Sequence, residues 1–180
     1  MVTYIGSTKV MSRSIMILSL VYMSSLSASP ASAEALTARK PLSLSIAVEV
    51  AMEAVAACEQ SGYRVTVTIV DTSGMIKAVA KGDLAPPHTL DSSRGKAYAA
   101  VSLGPNFNEN TTSAIVARVV NGPAFGPLQH LAGVFLVAGG VVIKSGDEVI
   151  GAVGVGGAPG GDKDEVCAQA AVAKITDRLR

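Results

Sequence analysis

The 180-residue sequence carries 15 Lys and Arg against 14 Asp and Glu, with 49% hydrophobic residues, two cysteines, two histidines and no tryptophan. A chain so close to neutral, with no Lys/Arg cluster able to follow a phosphate backbone, excludes nucleic acid as an expected partner. The absence of G-x-S-x-G, H-E-x-x-H, C-x-x-C and G-x-x-x-x-G-K-[ST] removes the commonest hydrolase, zinc, thiol-redox and P-loop readings.

Residues 1–33 read as a cleaved export signal. Lys9 and Arg13 precede the apolar run Ile15–Met23, and Ala31-Ser32-Ala33 offers small residues before Glu34. The run is shorter than the roughly 20 apolar residues of a spanning helix, so no stable membrane insertion is expected after cleavage. The remaining chain, 34–180, is long enough for a single domain with a substantial core. It is expected to be periplasmic or extracellular.

From Leu42 the apolar positions Leu44, Val48, Ala51, Met52 and Val55 recur at three and four residues, which predicts an amphipathic helix ending at Ser61-Gly62. Val65, Val67 and Ile69 then alternate with Thr66, Thr68 and Val70, and Asp71-Thr72-Ser73-Gly74 turns into a second strand, Met75–Lys81. After Pro86-Pro87 a helix can begin at Thr89 or Asp91 and end at Gly104-Pro105. A shorter helix, Thr111–Val119, precedes a Gly- and Pro-broken segment to Gln129.

Leu131–Ala138, Val141–Lys144 and Glu148–Val155 read as three further strands, the last with glycines at 151, 154 and just beyond at 156 and 157 that let another backbone approach closely. Asp162, with Glu165 three residues on, reads as the capping box of a helix running to about Arg178. Together these elements predict one α+β domain: a five-stranded antiparallel sheet flanked by helices on both faces, terminal helices on one side and middle helices on the other.

The side chains with chemical potential are few. His88 sits where a loop meets a helix N-terminus, beside Thr89, Asp91, Arg94 and Lys96, and reads either as a surface histidine or as the rim of an anion-binding cleft. Arg94 and Lys96, two apart on a helix, point to different sides, and Asp91 can pair with Arg94. His130, before an apolar run, reads as structural. Glu49 and Glu53 share a helix face and read as solvated, with a weak hard-metal site as the alternative. Cys58 and Cys167 read first as buried thiols in helices, and otherwise as a bridge between the first and last helix. No complete catalytic constellation is visible, so no catalytic residue is assigned and binding leads over catalysis.

The segments Pro87–Ala100, Gly139–Ile143, Gly151–Ala158 and Asp164–Ala168, in this order, resemble the GlcG/HbpS family of haem-binding and haem-degrading domains, related to the C-terminal domain of PduO-type proteins. The resemblance implies a profilin-like fold, homo-oligomers from dimer to octamer, haem as cofactor and, for exported members, a membrane sensor kinase as partner. It implies a ligand-facing region at His88, Thr89, Arg94 and Lys96, with His88 as iron ligand, or else a hydroxyl or another weak ligand, and Arg94 or Lys96 as partners of the propionates. Gly95 stands where the family usually has a bulkier or basic residue, and Gly156 where it commonly has Ser. The alternative functions are a haem-degrading or organic-acid enzyme, and a structural or sensory partner that binds a small metabolite.

Overall fold

The computed structural model describes residues 40–179. The expected export signal, 1–33, lies outside the described residues. Among those described, no helix is long and apolar enough to cross a membrane.

Ser43 starts the first helix, α1 (Leu44–Gln60), by accepting the Ile46 N–H at 3.3 Å. Strands β1 (Thr66–Asp71) and β2 (Ile76–Lys81) follow as an antiparallel hairpin, then α2 (Thr89–Phe107), α3 (Thr112–Val119) and a short α4 (Phe125–Gln129). A second hairpin, β3 (Gly140–Ser145) and β4 (Glu148–Gly156), leads into α5 (Gly161–Ile175) and a 3-10 turn, Thr176–Arg178. The hairpins join through antiparallel pairing of β1 with β4, giving the strand order β2-β1-β4-β3.

The sheet therefore has four strands, which corrects the five-stranded, profilin-like sheet expected from the sequence. Leu131–Ala138 supplies no strand. The amide of Phe135 is committed to the carbonyl of Gly95 on α2 at 3.2 Å, and Gly133 and Gly139 turn the chain at φ +81° and +124°. The outer edge of β3 is instead met by Asn110-Thr111, through a Val142 N–H to Asn110 O bond of 2.9 Å and an isolated bridge between Thr111 and Val141.

Side-chain alternation on β1 sorts the two layers. Val67 and Ile69 pack with Val50, Ala54, Val153, Ala168 and Ala171 in the main core, under α1 and α5. Thr66 and Thr68 face the other way, toward α2. On that side α2 covers Val70, Val142 and Ala152 with Ala97, Ala100 and Val101. A third cluster, Ala99, Leu103, Ile115 and Leu136, fastens α3 and the 134–136 segment to the back of α2.

Four local expectations need revision. The buried face of α1 is built from Ala47, Val50, Ala51, Ala54, Val55 and Cys58, whereas Leu44, Val48 and Met52 are 58%, 46% and 57% exposed. Helix α2 runs through Pro105 for one further turn and stops at Asn108, which takes the left-handed conformation at φ +54°. Helix α5 has no side-chain cap: Gly160 precedes it, and Glu165 turns away to the N-terminus of α3. Cys58 and Cys167 form a disulfide joining α1 to α5, so the bridge, rather than free thiols, is what the fold contains.

Candidate functional site

Thr89 fixes the entry to α2. Its hydroxyl donates to Pro86 O at 2.6 Å and lies 2.7 Å from the Thr66 hydroxyl of β1. One turn on, the Ser93 and Thr68 hydroxyls meet at 2.8 Å. These pairs satisfy polar groups that are fully buried, and they orient the helix about its axis.

With Thr89, Ser93, Lys96 and Ala97 turned inward, helical spacing brings His88, Asp91, Ser92 and Gly95 onto one face, with Arg94 at its flank. That face, with Gly133, Val134 and Phe135 opposite, lines a cavity of about 460 Å³. Its size suits a small-molecule site. Gly95 and Gly133 line it without side chains of their own. Val134 and Phe135 form an apolar wall, and His88, Asp91 and Arg94 form an exposed polar rim. Asp91 and Arg94 do not form the ion pair considered from the sequence, and both remain available to a ligand.

The four residues singled out from the sequence thus separate into two pairs. His88 and Arg94 reach the cavity. Thr89 lies beneath it in the hydroxyl latch. Lys96 points into the protein, where its Nζ donates to Asp164 Oδ2 at 2.6 Å; both side chains are at most 4% exposed. Burial raises the pKa of Asp164 above its ordinary value, opposed by the Lys96 hydrogen bond and charge and by the Ala158 N–H. Beside this pair, Glu165 accepts from the Ser113 and Gly139 amides at 3.1 and 3.0 Å and from the Ser113 hydroxyl. The carboxylate therefore caps α3 and holds the end of the cavity-bearing loop.

The other candidates have structural partners. His130 Nδ1 lies 2.8 Å from Gly126 O. Glu49 pairs with Arg178 at 2.5 Å and Glu53 with Lys174, which ties α1 to α5, and the described residues contain no cluster suited to a metal ion. A second cavity of about 470 Å³ lies at the far end of α2, between Asn108-Glu109-Asn110 and the β3–β4 turn, and holds none of the residues singled out from the sequence. Sequence reasoning missed Ser92 and the 133–135 wall. The available signal was an aromatic at 135 between glycines at 133 and 139.

A family model described as "Haem degrading protein HbpS-like" matches residues 42–173. A solved double mutant of Streptomyces reticuli HbpS is 35% identical, with a TM-score of 0.70 over 82% of this chain and 97% of that one. A complex of PduOC with heme is 26% identical, with a TM-score of 0.65 over 74% and 94%. The Klebsiella pneumoniae protein ORFY, 24% identical over 78% and 94% with a TM-score of 0.68, shares the fold. No curated protein matches the sequence.

Proposed function

The chain belongs to the HbpS-like family, and from that premise we propose that it is an exported haem-binding protein serving haem or iron sequestration or redox sensing. The observation that carries the reading is the cavity on α2, lined by an exposed imidazole, by a guanidinium that has no ion-pair partner among the described residues, and by two glycines. These residues fit the group. A porphyrin needs flat apolar contact, an axial ligand and cationic partners for its carboxylates. Gly95, Gly133, Val134 and Phe135 offer the first, His88 the second and Arg94 the third. Bound haem would supply an iron centre whose potential and spectrum follow from its axial ligand and the polarity around it.

Two features support the surrounding proposals. The Cys58–Cys167 bridge suits an oxidising compartment, in keeping with export. Exposed Leu44, Val48 and Met52 on α1, and Leu131 and Val137 near the cavity, suit a self-associating protein.

An absorbance titration of the 34–180 protein with haemin tests the reading. The expected result is saturable binding with a defined Soret shift that His88→Ala abolishes. Featureless, nonsaturable absorbance would overturn haem binding, and an unchanged band in H88A would remove His88 as the iron ligand. The family description favours haem degradation as a second reading. Haem loss under a reductant that persists with catalase present would support it.

A further inference from the structure

The sequence has three phenylalanines and no tryptophan. Phe107 and Phe125 pack against the Ala99, Leu103, Ile115 and Leu136 cluster. Phe135 does not join it, and remains 42% exposed in the cavity wall. Burying an aromatic side chain is worth more than burying most others, so an ordered one left in a cavity has forgone a large gain.

Phe135 is nonetheless held in place. Its neighbours Val134 and Leu136 are anchored in that third cluster, and its own N–H donates to Gly95 O at 3.2 Å. The approach to α2 is so close that a Cβ at position 95 would stand 2.6 Å from the Cβ of Phe135. That is shorter than two carbons can pack, and here both the neighbouring atom and its backbone are fixed. Any larger residue at 95 would displace the segment and move the ring.

We infer that Phe135 is the specificity-determining residue of the cavity: its ring selects a planar, conjugated ligand whose carboxylate is met by Arg94, and Gly95 keeps the ring in position. The inference deepens the haem reading and rests on it, since both place the ligand on the 88–95 face of α2. The role of Phe135 does not involve iron. It should act equally on a metal-free porphyrin, whereas His88 should act on the iron form alone.

The test is a pair of titrations of the 34–180 protein, haemin by absorbance and protoporphyrin IX by its own fluorescence, with biliverdin as a non-planar competitor bearing the same kind of carboxylates. Phe135→Leu is expected to weaken both porphyrins by about tenfold and to narrow the preference over biliverdin. Phe135→Tyr should restore both, and Gly95→Ala should reproduce the Leu variant. His88→Ala should weaken haemin only. If the wild type binds both porphyrins while F135L matches it in affinity and preference, the inference is overturned and the haem reading stands. If the wild type binds neither, the haem reading fails and takes the inference with it.

Discussion

Lys96 and Arg94 stand two residues apart on α2 and meet opposite surroundings: one ammonium is sealed against Asp164, and one guanidinium borders the cavity. Lys96→Met would strip Asp164 of its cation while leaving it buried, a class of change that costs about 3–5 kcal/mol. The loss should depend on pH. Burial already raises the folded-state pKa of Asp164, and removing Lys96 takes away the hydrogen bond and charge that oppose the rise. An acid with a raised folded pKa binds more protons folded than unfolded. Its folded state is therefore favoured below the ordinary carboxylate pKa and loses stability as pH climbs through the raised value. Urea unfolding should find the K96M deficit larger at pH 7 than at pH 4, and an equal deficit at both would contradict this account. That Lys96 and Arg94 diverge was legible from helical spacing alone. Which of them faced inward was not, because Asp164 lies 68 positions away and only the fold brings it near.

At the scale of elements, the contact between α2 and β4 has almost no side-chain cushion. A Cβ at Gly154 would lie 2.5 Å from Ala97 N, with Ser93 O closer still, so the strand meets the helix backbone directly. Gly154→Ala must push α2 off the sheet, with an expected cost of about 1–3 kcal/mol and a weaker haemin affinity, because the helix carries one side of the cavity. Chemical denaturation and haemin titration of G154A check both effects, and wild-type values in either would show that the helix can shift without loss. The glycines of β4 announced this close approach in the sequence. The 131–138 run misled, since Leu131, Val134, Phe135, Leu136 and Val137 have strand-like composition while the segment serves as anchor and wall. Composition reports burial and shape but not which amide bonds to which carbonyl, and here Phe135 bonds to a helix. On α1 the larger apolar residues drew the eye, yet alanines form half of the buried face, which is what lets α1 lie close to α5 and the sheet.

For the molecule as a whole, the covalent tie between α1 and α5 spans a sequence separation of 109 residues. Closing so long a loop restricts the unfolded chain strongly, by about 4–5 kcal/mol in the chain-entropy account. Cys58→Ala with Cys167→Ala should therefore lower the urea midpoint substantially, with a native-like circular dichroism spectrum retained before unfolding. A midpoint equal to that of the oxidised wild type would show that the bridge adds nothing. From sequence the pairing was one of two open readings, since two cysteines in Ala-rich helices look the same whether or not the helices are neighbours. The family-scale features were more legible than the site, because the Gly-rich strand and the α2 segment depend on local spacing, whereas the cavity joins α2 to a segment some forty positions later.

The same bridge encloses both walls of the cavity, α2 and the 133–135 segment, within one covalent ring. A protease that cut once in the exposed stretch between Asn121 and Ala124 would sever the main chain without releasing a fragment. The nicked protein would migrate as one species until a reductant was added, and only then divide in two.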